Sequence, residues 1–539
     1  MKLKILRGVN QIGGSIIEIS TETTKIILDC GSNLPPLDDQ KATDNIDVPG
    51  FTSGTSSYNA VFISHHHGDH CGLIGRINDD IHIYASEATK NVLEIIADFI
   101  NKTPPRIYKI IESEKAENIG DLKITALPVK HSAWGAMMFL VESGETRVLY
   151  TGDFNEINKY DSTEFNNVDV LLCEGTNVRV GSNKSEVSVQ TDVKRVMEQS
   201  ENEVFILCST TNIDRIQAVD DASKSCMNPR TMVIDPFMKA ILDKVGYVPE
   251  SKTIQFLPRG VTKGAKPRMD KYIEWNGKWP SGSVYIKAEK IAQSTNITVM
   301  VRQTMGDFLV RVGGEKKGIK PPDKGSTQDY QVYRKNVIEA KPFIGATLIY
   351  SIWQGYKQTK NTSDFLDLCI SLGMKIEDIH VSGHAYRDKL KASIDGLKSR
   401  TLIPVHTESA DSFHEIHDTV TLLNNDWIFN CETRQVEVEN LVQFYEIVRN
   451  QETKPNHNVF ETALLNIDDS SVEVAFEETR TIDIVRAFQE LSFDAIKKIM
   501  VNLPHCKQIE VFILWTSTPP TNSEHIEKSV ERLLSDLVG

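Results

Sequence analysis

The stretch Ala60-Val61-Phe62-Ile63-Ser64-His65-His66-His67-Gly68-Asp69-His70 decides how the rest of the chain is read. Four apolar residues in a row suit a strand buried on both faces. Directly after them, His65, His67, Asp69 and His70 form the pattern His-x-His-x-Asp-His. In an extended turn this alternation sends the first two imidazoles one way and the Asp-His pair another, a layout for two adjacent metal ions. Seen alone, the stretch also fits a polar loop with an accidental histidine cluster. His66 is the histidine here expected to bind no metal.

Further ligands are expected from similar places along the chain. Strands are predicted over 2–6, 14–19 and 25–30, a helix with apolar spacing over 88–99, and strands over 122–127, 137–141 and 147–150. His131 follows one of these strands and Asp153 follows another, in Thr151-Gly152-Asp153. The apolar run Val168–Cys173 ends in Glu174; Ile379-His380-Val381-Ser382-Gly383 leads to His384; and Leu402-Ile403-Pro404-Val405 delivers His406. Alone, His131 reads as a structural histidine and Asp153 as a turn residue. They gain meaning together, because loops at one edge of a sheet converge in space. Alternating strands and helices give the class α/β. We assign His65, His67 and His131 to one ion and Asp69, His70 and His406 to the other, with Asp153 bridging. Two divalent ions are expected, zinc first and manganese as the alternative. Water bound between them is a hydroxide source near neutral pH.

Composition sets the outer bounds. With 539 residues, 40% hydrophobic and 25% charged, the chain is long enough for two to four domains. No stretch approaches 18 apolar residues and the first residues alternate like a strand, so a cytoplasmic protein without a membrane anchor is expected. The eight cysteines are scattered with no Cys-x-x-Cys pair, which indicates neither a disulfide framework nor a zinc ribbon. The net charge of −14 argues against a nucleic-acid partner at first sight. Residues 176–359, however, carry 28 Lys and Arg against 19 Asp and Glu, a net +9 that leaves −23 elsewhere. Arg259, Lys263, Lys266, Arg268, Lys316 and Lys317 mark this basic segment; solvated loops and a nucleic-acid track fit it equally on charge alone.

Taken together, the metal motif, the isolated His131, the Thr-Gly-Asp turn and the late His406 resemble the metallo-β-lactamase superfamily over 1–175 and 360–445. Glu174 in Leu-Leu-Cys-Glu-Gly-Thr, His384 in Val-Ser-Gly-His-Ala and His406 in Ile-Pro-Val-His resemble motifs A, B and C of its β-CASP nucleases, most closely the ribonuclease J group. Thr211–Gln217 resembles that family's Asn-Ile-x-Arg-x-Gln stretch. The family continues its late histidine with Gly-Glu, where this chain has Thr407-Glu408. The resemblance implies an αββα sandwich (1–175 and 360–445), an inserted β-CASP domain (176–359) whose basic face lines a nucleic-acid cleft, and a small C-terminal α/β domain (446–539).

It also implies roles for the remaining residues. Asp69, His384 and Glu174 are the expected catalytic residues. His384, with Ser382 and Gly383, would bind the substrate phosphate, and Glu174 would orient a histidine. The expected function is a ribonuclease hydrolysing RNA through metal-bound hydroxide, by endonuclease or 5′–3′ exonuclease cutting. A β-CASP nuclease for DNA and a small-molecule ester or thioester hydrolase are the alternatives. RNA is the expected partner, and the family suggests a homodimer or higher oligomer. The tail is read as carrying strands at 472–476 and 509–515, a helix near Ile484–Leu491 and a closing helix at 526–537.

Overall fold

A computed structural model describes residues 1–34, 46–157, 165–256, 285–322, 326–436 and 480–504, apart from single positions within these ranges, and a few positions beyond them. The chain builds three sheets. The first begins with β1 (Lys2–Arg7), β2 (Ile16–Ser20), β3 (Lys25–Leu28), β4 (Ala60–Ile63), β5 (His82–Ala85) and β6 (Lys109–Ile110). The second holds β7 (Ala116–Ile119), β8 (Leu122–Pro128), β9 (Met137–Ser143), β10 (Thr146–Tyr150) and β11 (Val170–Glu174). The third holds β12 (Val204–Leu207), β13 (Thr231–Ile234), β14 (Thr253–Phe256), β15 (Tyr285–Ile286), β16 (Ile297–Val301), β17 (Thr347–Tyr350) and β18 (Lys375–Asp378). The chain then returns: β19 (Thr401–Val405) joins the second sheet beside β11, and β20 (Ile428–Asn430) and β21 (Gln435–Val436) extend the first beyond β1.

Strand alternation explains the layering. In β4, Ala60 and Phe62 point into a core shared with the second sheet, whereas Val61 and Ile63 point into a separate core on the outer face. Phe62 stacks on Tyr84 at 4.7 Å and meets Phe139 of the second sheet edge-on at 5.8 Å between centroids. Burying a ring of this size contributes about 1.5–3 kcal/mol. The third sheet is likewise covered on both faces: Val204 and Ile206 lie in one core, Phe205 and Leu207 in another.

Helices α1 (Gly68–Cys71) and α2 (Glu87–Phe99) belong to the first unit. In the insert, α3 (Glu186–Gln199), α4 (Ile213–Ser225), α5 (Pro236–Val245), α6 (Ala288–Ala292), α7 (Gly306–Lys317), α8 (Thr327–Glu339) and α9 (Lys360–Ser371) flank the third sheet. α10 (Arg387–Leu397) precedes β19. Val92 and Ile95 of α2 share a core with the insert, and Phe99 meets Phe237 of α5 edge-on at 4.8 Å, so α2 is the seat on which the insert docks. Among the described residues no helix is long and apolar enough to cross a membrane.

Two expectations need correction. The boundary set at 359/360 falls too early, because β18 pairs in parallel with β17, from Thr347↔Lys375 to Tyr350↔Asp378, and so extends the insert's sheet. In the tail, α11 (Thr481–Phe488) matches the expected helix and α12 (Phe493–Asn502) follows it. The strand expected at 509–515 is not one where described: Lys507, Glu510, Val511 and Leu514 are helical. An uninterrupted apolar run does not separate a buried strand from a buried helix. Ile484, Phe488, Ile496 and Ile499 of the tail share one apolar cluster with Phe413 and Trp427. The expected strand at 472–476 and the closing helix lie outside the described residues.

Candidate metal centre

The site forms where strand ends meet. β4 delivers Ser64 to His70, β8 leads to His131, β10 to Asp153, β11 ends in Glu174, β19 leads to His406 and the segment after β18 carries His384. The four-residue helix α1 turns Asp69 and His70 inward. Its backbone is pinned from the first sheet, as Ser15 N donates to Asp69 O at 3.1 Å and Cys30 N to His70 O at 2.8 Å. Gly31 makes this approach sterically feasible, since a Cβ there would lie 1.7 Å from Asp69 O. His406 adopts φ +51, a left-handed conformation unusual for a non-glycine residue, and its N–H is tied to Gly8 O at 3.1 Å.

The ligand atoms fall into two main groups, each within 4.8 Å: His65, His67 and His131, then Asp69, His70, Asp153 and His406. Asp153 stands between them. Its Oδ2 is 3.8 Å from both His65 Nε2 and His131 Nε2 and 3.1 Å from His70 Nε2, while Oδ1 is 3.5 Å from His406 Nδ1. His406 Nε2 is 3.7 Å from Asp69 Oδ2. His384 forms a third group with His131 and Asp153. His66 is buried but lies outside all of these groups.

Hydrogen bonds set the ring orientations. Ser64 Oγ donates to Asp29 Oδ2 at 2.7 Å, so it accepts from His65 Nδ1 at 3.0 Å, and His65 Nε2 is left facing the cluster as a lone pair. His131 Nδ1 donates to Gly383 O at 2.7 Å, which turns its Nε2 toward His67 Nδ1, 3.2 Å away. His70 Nδ1 donates to Asp29 Oδ2 at 2.7 Å. Burial, with the neighbouring imidazoles, holds His65 and His131 well below the usual histidine range, and burial lowers His406 as well. These are neutral rings ready to coordinate. Burial alone would lower His70 too, but Asp153 and Asp29 outweigh it and keep the ring protonated. The Asp153 carboxylate is disfavoured by burial, yet His406, His70 and His384 hold it well below the usual carboxylate range.

The donor set fits metal ions. Five histidines and the carboxylates of Asp69 and Asp153 converge, and His65 Nε2, Asp153 Oδ1 and both ring nitrogens of His406 are buried without a hydrogen-bond partner. Such atoms are costly unless a cation takes their lone pairs.

Beside the metal groups, Glu174 is fixed by Thr176 N on Oε2 at 2.9 Å and faces His384 Nδ1 with Oε1 at 3.2 Å. That leaves His384 Nε2 for the cleft. The turn before it is tightly held: Asn155 Nδ2 donates to Ser382 O at 3.0 Å, Asn177 Nδ2 to Ser382 Oγ at 3.0 Å, and His384 N to the same Oγ at 3.1 Å. Ser382 Oγ therefore accepts twice and keeps its own hydrogen to give. The N–H groups of Ser382 and His384 are committed within the protein, the former to Tyr386 OH at 3.3 Å.

Arg215, fully buried, forms a double ion pair with Glu186 (2.7 and 2.8 Å) and donates to Ser351 O and Val381 O, each at 3.0 Å, joining the insert to the segment that carries His384. Thr407, where the family pattern has glycine, donates to Gly175 O at 2.8 Å and accepts from Ser409 N at 3.1 Å.

Two of the six basic residues, Lys316 and Lys317, are among the described residues. Lys316 pairs with Glu203, the residue before β12, and lies over the Phe343 ring at 5.6 Å. It sits with Lys317 at the strand-start edge of the parallel third sheet, opposite the edge that leads to His384. Arg259, Lys263, Lys266 and Arg268 lie outside the described residues. The clearest residue missed by the sequence reading is Asp29, which binds Ser64 N, Ser64 Oγ, His70 Nδ1 and Tyr150 OH (2.6–2.8 Å). Its signal was the same as for the ligands, an acidic residue just past a strand.

This site and fold are those of a metal-dependent hydrolase, and the comparisons support a metallo-β-lactamase type: residues 24–201 match the beta-lactamase superfamily domain, and residues 370–415 match the Zn-dependent metallo-hydrolase RNA specificity domain. Within that superfamily the chain is similar to ribonuclease J. It is 22% identical over 431 residues to ribonuclease J of Mycobacterium tuberculosis (strain H37Rv), covering 75% of this chain and 68% of that protein. To ribonuclease J of Mycolicibacterium smegmatis it is 20% identical over 435 residues, with the same coverage. Among solved structures, a protein of unknown function from Enterococcus faecalis V583 shares the fold with a TM-score of 0.58 and 16% identity, over 79% of this chain and 99% of that one.

Proposed function

We propose that the chain is a ribonuclease J-like phosphodiesterase that hydrolyses RNA with two divalent ions, zinc or manganese. The observation that carries this reading is Asp153, whose Oδ2 lies within 3.8 Å of His65 and His131 of one ligand group and 3.1 Å from His70 of the other, with His384 beside it at 3.8 Å. Ions held by these groups supply an activated water near neutral pH and neutralise charge on the phosphate. The chain's own residues do the rest. His384, held as a cation by Glu174, presents Nε2 to a phosphate oxygen and stabilises the charge that grows there. The Ser382 hydroxyl adds a neutral donor. Gly383 fixes the tautomer of His131 so that its Nε2 lone pair points inward, and Asp29 holds the Nδ1–H of His70, whose Nε2 would give up its proton to an incoming ion. The RNA specificity domain match and the ribonuclease J relatives favour RNA as the substrate.

The test joins elemental metal analysis to cleavage of end-labelled single strands. RNA bearing a 5′-monophosphate or triphosphate, and DNA of the same sequence, are offered with manganese or zinc. RNA cleavage with two ions per chain is expected. Asp153→Asn should lower kcat by at least about 10³-fold while the far-UV spectrum is unchanged. Normal turnover in that variant, or cleavage confined to DNA, defeats the proposal.

A further inference from the structure

The loop after β17 runs Ser351-Ile352-Trp353-Gln354-Gly355-Tyr356 and leaves the third sheet at the strand-end edge from which β18 also leads to Ser382–His384. Its base is rigid: Ser351 is held by Arg215 and donates through Oγ to Ile379 O at 2.6 Å. Trp353 is 50% exposed, the most open tryptophan among the described residues. A single exposed apolar residue is ordinary. This one is propped on two sides. Tyr350 OH donates to its carbonyl at 2.8 Å, and its indole meets the Tyr356 ring edge to face at 5.3 Å. Gly355 lies under the indole, where a Cβ would come 2.2–2.5 Å from Cη2, Cζ3 and Cζ2. One face of the indole thus rests on glycine backbone, the ring of Tyr356 stands nearly perpendicular to it, and half of the side chain is open to solvent. The loop is tied to the segment that leads to His384, since Ser351 Oγ donates to Ile379 O and Lys357 Nζ donates to Asp378 Oδ1 at 2.6 Å.

An open aromatic face held beside a phosphodiesterase site has a natural occupant. We propose that Trp353, propped by Gly355 and Tyr356, is a stacking platform for one nucleobase of single-stranded RNA near the scissile phosphate, on the edge of the third sheet that leads to His384. Stacking tolerates any base, because every base offers a π face. The platform therefore fixes the path of the strand and not its sequence. This inference rests on the RNA reading above.

The test uses the full chain loaded with manganese and a single-stranded oligoribonucleotide, and scans one abasic residue through the positions around the cut. For the wild type, one abasic position should raise KM about 5- to 100-fold. Trp353→Ala should raise KM for the intact oligonucleotide by a similar factor with kcat within about threefold, and the abasic penalty at that position should vanish. Trp353→Phe should keep most of the affinity. Gly355→Ala, which displaces the indole without removing it, should lose part of it. Unchanged KM in Trp353→Ala, or an abasic penalty that persists in it, overturns the platform while leaving the ribonuclease reading intact. A wild type that cleaves no RNA overturns both. Coincident thermal melts for the variants guard against a folding defect.

Discussion

Glu174 and His384 show how a single contact sets the chemistry of a residue. Burial by itself would pull the His384 ring down, but the carboxylates of Glu174, Asp153 and Asp69 outweigh it and raise the pKa to about 9. The ring is then a cation throughout the neutral range. Because the folded value lies above the unfolded one of about 6.5, its contribution to stability is full below that value and is lost as pH rises through about 9. Bound ions take up the charge of Asp69 and Asp153, which leaves Glu174 as the group that keeps the cation. Glu174→Gln should therefore shift the alkaline limb of kcat/KM about 1–3 units to lower pH. Its deficit should be larger at pH 8.5 than at pH 6.5, and a ratio independent of pH would show that Glu174 acts only on structure. Glu174 and His384 stood out through the resemblance to motifs A and B of the β-CASP nucleases, since by itself His384 reads as a capping or core histidine. Asp29 was missed because the sequence reading placed it inside the strand predicted over 25–30, and its partner His70 lies 41 positions away.

At the scale of elements, the metal loop depends on how closely the end of β3 meets α1. Gly31 and Gly13 sit against Asp69, and a Cβ on Gly31 would drive directly into its carbonyl. Gly31 has no positive φ, so the obstacle to a side chain is contact alone. Gly31→Ala should push α1 outward, destabilise the fold by about 1–3 kcal/mol and lose the ion on the Asp69 side before the one on the His67 side. Urea unfolding and metal stoichiometry measure the two effects; two ions retained at wild-type affinity would refute this account of the loop. Strands of the sandwich were legible because their apolar runs are short and end in turn residues. The insert's extent was not, because β18 (Lys375–Asp378) is half polar and gains its place only by pairing with β17. Lys316 misled for a related reason: charge along the sequence does not say at which edge of a sheet it emerges, and here a buried carboxylate, Glu203, takes the charge.

Across the whole molecule, the centre is a seam. Its candidate ligands come from the first sheet (His65, His67, Asp69, His70) and the second (His131, Asp153, His406), with His384 arriving on the segment that returns from the insert. Ions bound there join the edges of two sheets whose cores are otherwise held by apolar packing, so the metal-free chain should keep its fold but melt earlier. Free ion at about 100 times its Kd adds about 2.7 kcal/mol per site. For a unit of roughly 250 residues that corresponds to a rise of about 5–10 °C. The effect must depend on pH in a definite direction. His65, His131 and His406 have folded pKa values below the unfolded one, so their neutral, coordinating form is favourable above about pH 6.5, and its contribution is lost as pH falls and the unfolded chain takes up protons. His70 behaves oppositely: its raised pKa means that the ion must displace a proton, so binding on the Asp69 side releases one. Calorimetric melts with manganese or with EDTA at pH 7.5 and 5.5 should differ by several degrees at the higher pH and converge at the lower. Identical melts at pH 7.5 would mean that the cluster holds no ion there, and the seam would then be closed by packing alone.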